Sequence, residues 1–244
     1  MKKKPEPSDF RKILDSLSGS RGTYEVFSAF VKLAACAVAV QTREEEYAEA
    51  AKRWKPDELE AFSRALAALV DEMEQKPFTD VLGGYYMEYA ISSKGQQWGG
   101  EFHTPKPVCD LMARMVMGDM ELIPKDRCIT VCEPACGAGA MVLSLAEACS
   151  PEVRRRLRVT AIDINEVACD MCFINTMLWH VPTRVLHGNT ISMEFWRGWT
   201  NFALMASPWA YHGDVDDVGR QNEPPKAAEV EIVKQALEQQ ELKL

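Results

Sequence analysis

The sequence predicts an α/β protein: a doubly wound, Rossmann-like sheet of parallel strands with helices on both faces, preceded by an α-helical amino-terminal region. Three observations lead there. The apolar spacing is helical from residue 8 to about residue 90, and near Arg127 it changes to short apolar runs alternating with helical stretches. A glycine turn, Gly137-Ala138-Gly139, directly follows the first of those runs. An acid, Asp163, closes the next run about 25 residues further on. The expected division is therefore residues 1–95 for the helical region and 96–244 for the sheet domain.

Within the first region, Ser8 and Asp9 cap a helix reaching about Leu17, and residues 19–22 form a turn around two glycines. Residues 24–40 are long and apolar, with Phe27, Phe30, Val31 and Ala34 on one face, as in a buried helix. Residues 44–54 are amphipathic. Pro56 and Asp57 open a further helix whose stripe is Leu59, Phe62, Leu66 and Leu69.

In the second region, residues 128–132 read as a buried strand and 140–149 as the helix after the glycine turn. A second strand at 159–162 ends in Asp163 and is followed by a helix at 166–179. Strands three and four are expected at 183–186 and 202–206, and an amphipathic helix at 227–242 ends the sequence. Four strands make a shortened sheet, whose open edge needs a cover.

Composition narrows the classes. Of 244 residues, 47% are hydrophobic and 26% charged, an ordinary globular balance. No run approaches the roughly 18 apolar residues of a membrane span, and the basic start lacks an apolar signal core, so a cytoplasmic protein is expected. Eight cysteines are then expected as reduced, buried thiols; Cys169 and Cys172 form a CxxC without the second pair a zinc site needs, so no metal is expected. The net charge of −8 counts against wide, nonspecific wrapping of nucleic acid, although a local patch can still provide contacts. Lys2, Lys3 and Lys4, and the run Arg154, Arg155, Arg156 and Arg158, are either such a patch or solvated faces.

In doubly wound sheets, ligands bind at the carboxyl ends of the strands. The first such end is Glu133-Pro134-Ala135-Cys136-Gly137-Ala138-Gly139, where glycines let the backbone approach a ligand that a side chain would exclude. The second is Asp163, placed to accept hydrogen bonds from both ribose hydroxyls of a nucleoside cofactor or else to cap the following helix.

These residues resemble motif I and motif II of the N6-adenine DNA methyltransferases, in particular the modification subunits of type I restriction systems. Gly100-Glu101-Phe102-His103-Thr104-Pro105 is similar to the upstream motif X of that family, with Asp80-Val81-Leu82-Gly83 before it. The resemblance implies S-adenosylmethionine as cofactor and DNA as partner. It implies that Phe102 and Thr104 line the methionine end. The other cofactor-binding residues it implies are Glu133, Pro134, Ala135, Gly137, Gly139, Asp163, Ile164 and Asn189. Asn189 stands where the family usually has an acid facing the adenine amine, and its carbonyl oxygen can still accept that hydrogen bond.

At the fourth strand end the family places Asn-Pro-Pro-Phe or Asp-Pro-Pro-Tyr. There, polar oxygens accept the hydrogens of the target amine and localise its lone pair, while the aromatic stacks on the flipped base. This chain has Ser207-Pro208-Trp209, which the resemblance makes the catalytic corner; the serine also resembles the N4-cytosine enzymes. The expected function is S-adenosylmethionine-dependent DNA methylation, at adenine N6 with cytosine N4 as the other option. The alternative is a catalytically inactive or partner-dependent binding module of the same fold. A second copy or a partner subunit would cover the open sheet edge.

Overall fold

The computed structural model describes residues 7–19, 21–40, 42–92, 104–120 and 122–208. The helical region begins with α1 (Asp9–Ser18), whose first turn is capped by the Ser8 hydroxyl accepting from the Arg11 N–H at 3.2 Å. α2 (Thr23–Val38) buries Val26, Phe27, Phe30, Val31 and Ala34, the face that its spacing predicts. α3 (Glu44–Ala51) is short. α4 (Pro56–Glu74) starts on a proline with preset φ, and the Glu58 carboxylate accepts from the Lys55 N–H at 2.8 Å. Of its stripe, Phe62 and Leu69 are buried, while Leu59 and Leu66 are partly so. α5 (Val81–Ser92) is opened by the Asp80 carboxylate, which accepts from the Gly83 N–H at 2.8 Å. Rings lock these helices together: Phe10 meets Phe30 edge-on at 5.0 Å, and Trp54 meets Phe62 at 4.7 Å.

The sheet has four strands in the order β1 (Ile129–Glu133), β2 (Leu157–Asp163), β3 (Thr183–Asn189) and β4 (Glu194–Thr200). The first three are parallel, and β4 runs antiparallel to β3. Around them lie α6 (Lys106–Met120), α7 (Ala140–Ala148), α8 (Pro151–Arg155), α9 (Glu166–Leu178) and α10 (Phe202–Met205). Successive right-handed crossovers stepping in one direction put α7 and α9 on one face of the sheet. Leu157, Val159, Ala161 and Val185 fill that face, and α2 packs on the far side of α9. A single apolar cluster therefore runs from Phe10 in the helical region to Trp199 in the sheet.

Four expectations need correction. Residues 202–206 are not a strand but the helical turn α10, because the Asn201 side chain accepts from the Leu204 N–H at 3.0 Å and caps it. The fourth strand is the aromatic stretch before it, hidden in the sequence by Arg197 and Gly198. Second, among the described residues the crossover helices share one face; the opposite face carries half-buried Arg158, Thr160 and Arg184, and the strand order does not reverse. Third, the arginine run is largely structural. Arg156 is buried and donates to the carbonyls of Arg127, Ile123 and Pro124, while Arg154 donates to those of Ala146 and Cys149. Fourth, the eight cysteines are free thiols as expected, but Cys132 is exposed and Cys128 half-buried on or beside the edge strand β1. The residues 227–242 lie outside the described residues, as does the 95/96 boundary.

A charged cluster joins the two regions. Lys32 on α2 lies 2.8 Å from Asp170 and 2.9 Å from Glu166 on α9. The buried Arg43 guanidinium lies 2.8 Å from Asp170 as a charge contact and 2.7 Å from Glu46, and stands 4.2 Å over the Trp199 ring. The Trp199 indole N–H donates to Glu46 at 3.0 Å, and Arg197 pairs with Glu166 at 3.2 Å. Three cations thus meet three carboxylates. Burial alone would raise the Glu46 pKa, but the hydrogen bonds from Arg43 and Trp199 outweigh it and hold it below the usual carboxylate value. Glu166 is lowered in the same way, chiefly by Lys32 against burial.

For a group depressed in the fold, the stabilisation is present above the unfolded value of about 4.3 and is lost as pH falls through the folded value. Glu46→Gln should therefore cost about 1–2 kcal/mol at pH 7, a Tm loss of several degrees, and progressively less as pH falls below the unfolded value. Thermal melts of both proteins over a series descending from pH 7 check this.

Candidate active site

At the end of β1 the chain turns through the glycine loop at the carboxyl edge of the sheet. The Ala135 N–H donates to the Glu133 carboxylate at 3.3 Å, and the Cys136 N–H to the Ile162 carbonyl at 2.8 Å, tying the loop to β2. The Gly137 N–H donates to Asp163 Oδ2 at 2.8 Å, while Asp163 Oδ1 accepts from the Asn165 N–H at 2.9 Å. Asp163 thus braces the loop and shapes the entry to α9, and each carboxylate oxygen retains a further lone pair for a ligand. Gly139 has φ +90°, and a Cβ there would lie 3.0 Å from Cys172 Sγ and 3.5 Å from its Cα. Only glycine lets the loop close onto α9.

Other side chains hold this frame. The Asn175 amide, buried on α9, donates to the Ala138 carbonyl at 2.8 Å and to Asp80 at 3.0 Å, linking the loop to the cap of α5. The Asn165 side chain accepts from the Val167 N–H and donates to the Tyr86 hydroxyl at 3.0 Å. Thr190 donates to the Pro134 carbonyl at 2.6 Å, so the β3 end is tied across to the β1 loop. None of Tyr86, Asn175 and Thr190 was singled out by motif; the signal that could have found Asn175 is a polar residue inside an apolar helical stretch.

The expected cofactor residues Glu133, Pro134, Ala135, Gly137, Gly139, Asp163, Ile164 and Asn189 all fall at this one end of the parallel strands. Asn189 differs in detail from its expected role. Its side-chain oxygen already accepts from the Ile191 and Ser192 N–H groups at 2.9 and 3.2 Å, leaving the amide N–H groups as the part that faces outward chemistry. Gly188 beside it is required, since a Cβ there would fall 2.4 Å from the Glu194 carbonyl oxygen. Thr104 is exposed just ahead of α6, and Phe102 and Trp209 lie outside the described residues.

Ser207 and Pro208 are not brought to the glycine loop. β4 runs antiparallel, so its end returns to the start of β3, where the Asn201 N–H donates to the Thr183 carbonyl at 2.9 Å and its side chain accepts from the Thr183 N–H. Thr183 pairs with Val159, four residues before Asp163, which is about 13 Å along the strand. The turn of α10 and Ser207 follow directly from that point. The expected corner beside the glycine loop depends on reading residues 202–206 as a parallel strand, and as α10 they leave Ser207 near the start of β3.

The loop end combines a carboxylate with exposed apolar side chains. Asp163 keeps lone pairs free to accept hydrogen bonds, and Ile164, Ile191, Met193 and Trp196 present exposed apolar surface at the same end of the sheet. The described residues contain no group of acids, cysteines or histidines that could hold a metal ion.

Gly139→Ala should cost about 1–3 kcal/mol through the forced φ and the contact with Cys172. Urea denaturation of the variant checks it, and an unchanged midpoint would contradict the packing described.

The N-6 DNA Methylase family profile matches residues 78–229. The methylase subunit of the type I restriction enzyme MpnII from Mycoplasma pneumoniae is 27% identical over 143 residues, covering 54% of this chain and 25% of that protein. Among solved structures, a Listeria monocytogenes protein assigned to the class I S-adenosylmethionine-dependent methyltransferases aligns over 75% of this chain and 53% of its own, with 14% identity and a TM-score of 0.41. The type I restriction-modification methyltransferase subunit of Streptococcus thermophilus aligns over 77% and 40%, with 19% identity and a TM-score of 0.38. The chain spans a quarter of the length of the curated relative. With the family profile covering more than half of the chain, this protein belongs to the N-6 DNA methylase family.

Proposed function

We propose that the protein is an S-adenosylmethionine-dependent DNA methyltransferase acting on adenine N6. The observation that supports it is the cradle at the strand ends, in which the glycine loop is held by Asp163 beside exposed apolar side chains. Glu133, Pro134, Ala135, Gly137 and Gly139 would line the loop side, and Asp163 would accept from the ribose hydroxyls. Ile164 and the Asn189 amide would meet the base. S-adenosylmethionine, when bound, supplies a methyl group on an electrophilic sulfonium. This chain's part is to hold the nucleoside end rigidly, through the Asp163, Asn175 and Thr190 hydrogen bonds, and to keep the loop backbone close to the ligand.

One observation favours a second reading. Ser207 and Pro208 stand at the other end of β3, so the groups that orient the target amine would be contributed from outside the described residues or by a partner subunit. DNA is the substrate in the first reading. In the second, the chain is the cofactor-binding part of a larger assembly, with cytosine N4 retained as a target option. α6 is the face such a partner would cover, because Val108, Leu111, Met112, Met115 and Val116 form an exposed stripe at helical spacing. Either way the reaction takes place where DNA and cofactor are both at hand, in the cytoplasm.

The test is transfer from labelled S-adenosylmethionine to unmethylated DNA, with digested nucleosides identified by mass spectrometry. N6-methyladenine is the expected product. Cofactor binding without any methylated base would leave the second reading. Asp163→Ala should weaken cofactor affinity at least severalfold by calorimetry, whereas Ser207→Ala should leave it unchanged. Equal affinity of Asp163→Ala and wild type would remove the ribose assignment.

A further inference from the structure

The cradle carries one aromatic residue that no family motif assigns. Among the described residues, Trp196 is the only aromatic with a large exposed surface, at 51%. Trp54 and Trp199 are buried, and Trp179 packs on Phe78. Trp196 sits on β4 at the register shift opposite His187 and Gly188, and bulges of this kind turn a side chain away from its regular alternation. The result is an indole standing at the carboxyl end of the sheet.

Its neighbours tie it to the cofactor cradle. The His187 ring meets it edge-on, with centroids 4.8 Å apart and planes at 77°. His187 pairs in register with Asp163, and its Nε2 lies 3.1 Å from the Ile164 carbonyl oxygen. A carbonyl only accepts, so Nε2 carries the proton and the imidazole is fixed in one orientation. The Arg197–Glu166 pair anchors the next residue of the strand to α9. The indole is thus contacted edge-on by His187 and remains half exposed, at an end of the sheet where Ile164, Ile191 and Met193 are exposed as well.

We infer that Trp196 is a stacking platform for an adenine ring, a role that rests on the methyltransferase reading above. An exposed indole fixed by an edge-on neighbour presents a flat π-face at little conformational cost, and purines stack on such faces without hydrogen-bond readout. Adenine enters this reaction twice, as the base of the cofactor and as the target base in DNA. Both present the same ring, and the placement beside Ile164 favours the cofactor's.

The experiment compares wild type, Trp196→Phe and Trp196→Ala, with circular dichroism to confirm folding. Calorimetry measures S-adenosylhomocysteine, and fluorescence follows DNA carrying 2-aminopurine at the target base. Trp196→Ala should weaken S-adenosylhomocysteine by roughly tenfold while Trp196→Phe, which keeps a ring, loses much less. Unchanged cofactor affinity with loss of the 2-aminopurine response would assign the platform to the target base. If wild type binds S-adenosylhomocysteine and both alanine responses match it, the platform is overturned. Failure of wild type to bind S-adenosylhomocysteine would instead overturn the methyltransferase reading beneath it.

Discussion

The fold turns on Asp170. It is a carboxylate buried on α9, and it survives there because Lys32 and Arg43 approach it from the helical region. Removing both cations would leave an uncompensated buried charge, at a cost of about 3–5 kcal/mol. α9 is consequently set against α2 in one position. Several contacts that shape the cradle then come from α9 and its cap: Asn165 at its start, Cys172 against Gly139, and Asn175 against the Ala138 carbonyl. Arg43 and Glu46 extend the same charges to Trp199, so β4 is placed by the cluster as well. The helical region is part of the site's foundation rather than an appendage.

This dependence explains how a sheet of four strands holds its ligand end steady. The loop between β1 and α7 is tied to β2 by the Cys136 N–H, to Asp163 by the Gly137 N–H, and to the β3 end by Thr190. Two of these ties come from the end of β2 and one from the end of β3. A loop tied to two neighbouring strands has little left to order when a ligand arrives, as the proposed cofactor site requires.

Much of this was legible in the sequence, for physical reasons. Residues 24–40 carry an unbroken apolar face, and the glycine loop follows a β-branched run, so helix, strand and turn are each dictated locally. Asp163 stood out because an acid closes the apolar strand that follows the glycine loop, and it does shape the entry to α9, one of the two roles read for it. What was not legible depends on distant partners. Phe202, Ala203, Leu204 and Met205 are apolar enough for a strand, and only the Asn201 cap, anchored on Thr183 far away in sequence, makes them helical. β4 was hidden because Arg197 finds its compensating charge on α9. Asp170 and Arg43 look like surface charges until the helices pack.

The central claim is that a nucleoside cofactor binds at the carboxyl ends of β1, β2 and β3, away from the Ser207 turn. Hydrogen–deuterium exchange with and without S-adenosylhomocysteine tests it most directly. The account predicts added protection in residues 133–139 and 163–166, with no change in residues 201–208. Protection confined to residues 201–208, or none at the glycine loop under conditions where calorimetry shows binding, would contradict it.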